Sequence, residues 1–416
     1  MDSRLRGNDI QKRNDKKNME QEIKKEKSKN IFYVGLLSFF GGIGLDIFSP
    51  ILPIYLTSVL GFDKTFIGLV EGLAAASTNI SKIVAGYFSD KFKKQKLIIF
   101  IGYFLSMIGR PLLAFFVSAP AVMGLRLADG TGRGVKDPAK DVLIAGSALK
   151  ESRGKSFGIA RMLDTLGSVA GPLILVALLE IFKNSNRLYH YVLIFSAVPL
   201  LISLVILVWK VREAEPQLIT DNQELITKIE TGKLPKEFFI FLGIIILFTI
   251  GNSSDVFLIL RAKNLGFSLI QIPIVIALFN FVYAILAVPF GALSDKIGRI
   301  PTIIIGWVSY SLVYAGFGLA TGTLIVWPLY ILYGVYYATS EGVIKAFLTD
   351  IVGASHRGRA FGIYGTTIGL STLAASFIAG YLWDNFGANA PFYFGSIMAL
   401  VAVMFLVLFS RKFVKV

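Results

Sequence analysis

The sequence predicts an all-α integral membrane protein of twelve transmembrane helices, built as two parallel six-helix pseudo-repeats. Three observations lead there: apolar runs of bilayer length, basic residues gathered on one side, and short motifs that recur at one spacing.

The 416 residues are 54% hydrophobic and only 17% charged, with a mean hydropathy of +0.66. An ordinary soluble domain carries about 25% charged residues, so too little polar side chain is present to coat one. Runs of about twenty apolar residues match a hydrocarbon core about 30 Å thick at 1.5 Å rise per residue. In chain order they fall at 31–59, 65–88, 96–117, 119–147, 156–182 and 189–210, then at 237–262, 269–293, 301–321, 323–352, 360–383 and 391–410. Backbone polar groups in lipid must be satisfied internally, so these runs are expected as helices. No small-residue cleavage site follows the first run, which therefore reads as a retained span.

A formal net charge of +15 invites a nucleic-acid reading, and the placement of the charge argues against it. Roughly two thirds of the 42 Lys and Arg lie in tails and loops of one side, the asymmetry that marks cytoplasmic segments. A cell-membrane protein with both termini cytoplasmic is expected. Nucleic-acid binding needs a basic face on a soluble module, and none is visible. With no cysteine, disulfides and thiolate metal sites are excluded, and His190 and His356 are too far apart to suggest a metal site. No cofactor is expected.

Residues 1–30 form a polar tail expected to be disordered in the cytoplasm, with Met19 as an alternative start. Residues 31–210 make the first six-helix half and 237–416 the second. Between them, 211–236 is a polar linker. Leu218, Leu225, Ile226 and Ile229 predict a short amphipathic helix on the membrane surface there.

The halves repeat one another. Gly86-Tyr87-Phe88-Ser89-Asp90-Lys91 returns as Gly291-Ala292-Leu293-Ser294-Asp295-Lys296, 205 residues on, and Leu60-Gly61-Phe62 returns as Leu265-Gly266-Phe267 at the same offset. Arg153 to Ile159 matches Arg357 to Ile363 at an offset of 204. Six spans per repeat give both halves one orientation, a plan in which the binding site lies at the repeat interface near the midplane.

On these residues the chain resembles the major facilitator superfamily from about residue 31 onward. The Gly-x-x-x-Asp-Lys loops are similar to that family's signature between its second and third helices. The second copy is the fuller, with Gly298 and Arg299; the first departs after Lys91. Gly44 with Pro50-Ile51-Leu52-Pro53, Arg126-Leu127-Ala128-Asp129-Gly130-Thr131-Gly132, and Gly158, Gly167, Gly171-Pro172 resemble motifs of the family's twelve-helix proton-coupled exporters. Asp129 stands where Gln is usual, and Leu175 and Val176 stand where paired glycines are usual. The resemblance implies alternating access, with a small-molecule substrate, protons as coupling ion, the lipid bilayer as surroundings and a monomer as working unit. It also implies a latch on the cytoplasmic side, in which an Asp of the loop signature pairs with a cation of the other half. Gly86, Asp90, Lys91, Gly291, Asp295, Lys296, Gly298 and Arg299 are the candidates, with Asp350 and Arg357 resembling an acid-to-Arg relay. Their simpler reading is as topology anchors and turn formers.

A charge in lipid costs at least about 2.5–3.5 kcal/mol, so each intramembrane charge needs a reason. The fourth span holds the densest set: Arg126, Asp129, Arg133, Lys136, Asp137, Lys140 and Asp141 fall within an arc of about 140° at 100° per residue. That strip is expected to face a wet interior, with Asp129–Arg133 and Arg133–Asp137 neutralising one another at i,i+4. Asp46, midway along the first span, is the leading coupling residue, with Asp255 its rough counterpart. Glu71, Arg126, Asp129, Arg133, Asp137, Asp164 and Glu341 are further candidates for transport or proton coupling. Asp137 and Glu341 are equivalent acids at the 204 offset. Against this, Lys136, Lys140 and Asp141 suit a gate, and Arg161–Asp164 suits a self-contained pair.

Proton-coupled export of a small amphipathic or cationic molecule is the first expectation. The alternatives are uptake or exchange of an anionic metabolite clamped by Arg126 and Arg133, and a membrane sensor that keeps the fold without transport. A membrane-embedded enzyme is the weakest alternative, since no nucleophile, metal cluster or phosphate loop is present, and the Gly130–Gly134 stretch follows no strand.

Overall fold

The computed structural model describes residues 26–92, 94–148, 153–213, 234–352 and 356–413, with the side chains of 87–92, 153–155 and 357 left undescribed. The expected tail disorder and alternative start, and the surface helix within 214–233, lie outside the described residues.

Among the described residues twelve helices follow one another: α1 Glu26–Val59, α2 Lys64–Phe92, α3 Gln95–Leu112, α4 Ala119–Ser147, α5 Arg153–Ile181, α6 Leu188–Trp209, α7 Lys236–Asn264, α8 Gln271–Ile297, α9 Arg299–Leu319, α10 Val326–Ile351, α11 Arg357–Phe386 and α12 Ala390–Phe413. Eight are long and apolar enough to cross a bilayer by themselves. The other four, α2, α3, α4 and α10, include polar and charged residues such as Glu71, Arg110, Arg126, Asp129 and Glu341 that lower their hydropathy. Helix α3 stops five residues short of the expected 117. After Pro111 the chain turns through i→i+3 bonds, with the Leu113 and Ala114 N–H groups donating to Arg110 and Pro111 carbonyls.

Two helices are broken near mid-membrane. Helix α1 turns at 49–51 before a short segment that ends in a π turn, Tyr55–Val59. Helix α7 breaks between Gly251 and Val256, where Asn252 donates to the Tyr336 hydroxyl at 3.0 Å. Such discontinuities expose backbone in the centre of the bundle and are tolerated where protein or a water-filled cavity receives it.

One large apolar cluster runs through both halves, from Ile47, Phe48 and Leu175 to Phe257, Trp307 and Tyr333, and each half adds a packing style of its own. Val34, Leu37, Ile99, Tyr103, Leu143 and Leu204 form an aliphatic core for the first, near the face that carries the chain ends. The second is held by rings, with Phe248 stacked on Trp307 (4.4 Å between centroids) and Tyr310 on Tyr314 (4.1 Å). The halves meet along two seams, α2 with α11 and α5 with α8. Among the described residues, the hydrogen bonds between halves run from Asp384 with Lys64 and Thr65 at the far face, through Asn280 with Ser168, to Arg161 with Tyr283. At the far face the halves are therefore tied together through Asp384.

Candidate functional site

Helix α4 sits unusually close to α2 and α3, and its glycines are the cause. A Cβ on Gly130 would lie 2.4 Å from the Ala74 carbonyl oxygen on α2, and one on Gly132 would lie 2.5 Å from that of Gly102 on α3. The stretch that could be mistaken for a phosphate loop is a helix-packing surface.

That proximity builds a buried ionic cluster. Arg126 donates to Glu71 of α2 from Nε at 3.0 Å and Nη2 at 2.7 Å, and from Nη1 to Asp129 at 2.8 Å. Arg110 of α3 donates from Nε to Asp129 at 3.1 Å, and Arg133 Nε lies 3.4 Å from the same carboxylate. Asp129 is 0% exposed, Arg110 2% and Arg126 4%. Phe48 of α1 lies under both guanidiniums, 5.0 Å from Arg110 and 5.2 Å from Arg126, within cation–π range.

Two chambers lie beside the cluster. The deep one, about 480 Å³, is bounded by Asp46, Glu71, Arg126, Arg133 and Asp255, with Phe48, Phe279, Tyr283, Tyr333 and Tyr337 among its walls. Asp255 accepts hydrogen bonds from the hydroxyls of Tyr333 at 2.6 Å and Tyr337 at 3.0 Å. Asp46 is placed by α5: Gly171 has no Cβ, and one there would meet the Asp46 Cβ at 2.8 Å. Among the described residues neither Asp46 nor Asp255 has a Lys or Arg within ion-pair distance. The second chamber, a vestibule of about 580 Å³, lies toward the chain ends and includes Lys82, Lys136, Asp137, Lys140, Asp164 and Glu341. Leu45 and Arg133 line both chambers.

Of the nine residues singled out for transport or coupling, Asp46, Glu71, Arg126, Arg133 and Asp255 thus line the deep chamber, and Asp137, Asp164 and Glu341 join Arg133 in the vestibule. Asp129 lines neither. Several expectations are corrected. The α4 charges do not form one wet strip, because Asp129 is buried against Arg110 of α3. Asp137 pairs with Lys140 (3.4 Å), Lys82 and Lys136 (3.9 Å each), whereas Arg133 goes to Asp129. Glu341 accepts from Tyr283 at 2.8 Å and Lys345 at 3.0 Å, so its environment differs from that of Asp137. Arg161 and Asp164 do meet, at 3.6 Å.

At the chain-end face, Gly298 takes a φ of +98°, which favours glycine, and turns the chain from α8 into α9. Arg299 pairs with Asp295, donates to Ser294 Oγ at 2.6 Å and reaches Asp350 on α10 at 3.2 Å. Among the described residues, Asp295 and Asp350 both pair with Arg299 of their own half, and no ion pair from either reaches the first half. The side chains of Asp90, Lys91 and Arg357 lie outside the described residues. Lys296 is exposed, and a Cβ at Gly86 or Gly291 would meet nothing within 4 Å.

Arg110, Tyr283, Tyr333 and Tyr337 were not among the expected site residues. The tyrosines had a signal: Tyr330, Tyr333 and Tyr337 recur at i, i+3 and i+7, one helix face. Arg110 had only its position inside an apolar run.

A two-half helical bundle with charged chambers at the repeat interface defines a membrane transporter. The chain belongs to the Major Facilitator Superfamily, whose profile matches residues 34–342 and 240–415. It is 32% identical over 403 residues to an uncharacterized MFS-type transporter of Methanocaldococcus jannaschii, covering 95% of this chain and 98% of that one. A shorter stretch of 142 residues is 32% identical to the quinolone resistance protein NorA of Staphylococcus aureus, covering 34% of this chain and 36% of NorA. In fold it is similar to a bacterial homolog of the human lysosomal transporter Spinster (TM-score 0.75, 15% identity, 94% of this chain and 98% of that one). It is also similar to a D-xylose–proton symporter (TM-score 0.70, 19% identity, 91% and 97%). The chain is a multi-pass membrane protein and a secondary active transporter of a small molecule, not an enzyme.

Proposed function

We propose that this protein exports amphipathic organic cations across the cell membrane in exchange for protons, as a monomer with both chain ends in the cytoplasm. The halves 31–210 and 237–416 rock against each other, with 211–236 as the tether. The observation that carries the reading is the pair of carboxylates, Asp46 and Asp255, that reach the deep chamber without a cationic side chain to neutralise them. A buried carboxylate is costly unless something neutralises it. A proton does so, and so does a substrate cation, and each makes the other unnecessary. That exclusivity is what exchange requires. The aromatic walls suit the same ligand, since a cation over a ring face gains about 2 kcal/mol when desolvated. The stretch shared with the quinolone resistance protein favours export.

Arg133, Asp137, Asp164 and Glu341 belong to the path from the cytoplasm to the chamber, and Glu71 and Arg126 to its wall. Uptake of an anion clamped by Arg126 and Arg133 is the weaker reading, because all three donating nitrogens of Arg126 are held by Glu71 and Asp129. The test is accumulation of a fluorescent lipophilic cation by proteoliposomes under an imposed pH gradient. Asp46→Asn is expected to abolish accumulation while the purified protein stays monodisperse. Wild-type accumulation by that variant would remove Asp46 from the mechanism.

A further inference from the structure

At the far face, a carboxylate from one half closes the first turn of a helix in the other. Asp384, near the end of α11, accepts the Lys64 N–H at 3.2 Å, the Thr65 N–H at 2.7 Å and the Thr65 hydroxyl at 2.7 Å. Those N–H groups open α2 and have no partner within their own helix. Asp63 takes only the next one, that of Phe66, at 2.6 Å. The seam is tight at this level: a Cβ on Gly380 would lie 2.2 Å from the Lys64 carbonyl oxygen, and one on Gly68 would lie 2.0 Å from that of Ser376.

The pseudo-repeat supplies an internal comparison. Glu180, at the offset of 204, is the acid near the end of α5, the helix that forms the other seam with α8. It does not cross between the halves. Glu180 pairs with Lys183, and α8 is capped from its own chain, the Ser268 N–H donating to Gln271 Oε1 at 2.9 Å and the Gln271 N–H to Ser268 Oγ at 3.2 Å. Two acids at equivalent positions are therefore used differently, and only Asp384 bridges the halves.

We infer that Asp384 is a gating residue for the transport cycle, holding the far face shut by capping α2 from the opposite half. The device has suitable strength. A carboxylate at a helix N-terminus gains from the dipole as well as from its hydrogen bonds. When the seam parts, water reaches the exposed Lys64 and Thr65 N–H groups and replaces it, so release leaves no buried orphan. The assignment does not depend on the substrate or the coupling ion. It does rest on the sidedness proposed above, in which the far face is extracellular.

The absence of cysteine makes the test direct. Ser49→Cys places one thiol in the deep chamber, and a membrane-impermeant maleimide added outside intact cells reaches it only when the far face opens. Asp384→Asn in that background is expected to raise the labelling rate about fivefold or more, and Glu180→Gln to leave it within about twofold. Equal rates with and without Asp384→Asn, or an equal rise with Glu180→Gln, would overturn the assignment. A residue that merely stabilised the fold would lower thermal stability without changing sided labelling. Should Asp384→Asn not reach the membrane, Thr65→Val removes one of the three bonds and keeps the charge. A rise of about twofold is then expected, and labelling at the parent rate would overturn the assignment. Asp141→Cys in the vestibule, labelled only from the cytoplasmic side, reports separately on the sidedness.

Discussion

Asp129 accepts from guanidiniums on two helices, and its burial decides what its loss would do. Removing the negative charge leaves the buried Arg110 without its carboxylate partner and Arg126 with Glu71 alone. Breaking a buried ion pair from one side costs about 3–5 kcal/mol, because the abandoned charge stays buried. Asp129→Asn is therefore expected to lower unfolding stability in detergent by about that amount. Asp164→Asn, whose partner Arg161 is 62% exposed at the side chain, should cost less than about 1 kcal/mol. Thermal unfolding of the two variants, measured side by side, checks the contrast. The sequence marked Arg126, Asp129 and Arg133 because three charges in an apolar helix are legible at a glance. It paired Asp129 with Arg133, as observed at 3.4 Å, but not with the partners that come from other helices. Spacing relates residues of one helix to each other, whereas Glu71 and Arg110 arrive from helices whose rotation no local pattern records. The same holds for Asp46: its isolation from cations along the chain was readable, but its contact with Gly171 was not.

Among elements, α4 shows what a small-residue face does. Gly130 and Gly132 point at backbone of two different neighbours, which has no side-chain freedom to give way. Gly130→Val is expected to prevent α2 and α4 from seating and to reduce the monodisperse fraction on size-exclusion chromatography by at least about tenfold. Gly124→Val on the same helix, where a Cβ meets nothing within 4 Å, is expected to purify like the parent. The twelve apolar or near-apolar runs were legible, and most predicted ends fall within a few residues of those observed. The shortened α3 was not, because the turn after Pro111 continues through apolar residues that look like more helix. Nor were the breaks in α1 and α7 assigned. Pro50 and Pro53 hinted at the first, while Asn252, Ser253 and Ser254 are too ordinary in composition to announce the second.

For the molecule as a whole, the two chambers differ in electrical sign. The vestibule has six cationic side chains (Lys82, Arg133, Lys136, Lys140, Arg161, Lys345) against four acids (Asp137, Asp141, Asp164, Glu341), whereas the deep chamber has two cations, Arg126 and Arg133, against Asp46, Glu71 and Asp255. An anionic thiol reagent should therefore modify Asp141→Cys several-fold faster than a cationic one of equal size, and the preference should fade as salt rises past about 0.5 M. A preference for the cationic reagent would contradict the charge balance described. The two halves also differ in what they add to their apolar packing. The first sets an ionic cluster beside its aliphatic core, and the second stacks rings around Trp307. Ring contacts degrade gradually where only the ring packs, as at Phe248, Phe317 and Phe392, whereas a salt cluster that loses one member is left with a surplus. Random mutagenesis should consequently find substitutions tolerated among the packing rings away from Asp255 and scarcely tolerated in the cluster of Arg110, Arg126 and Asp129, so that changes of cargo would be acquired more readily through the aromatic wall than through the charged one.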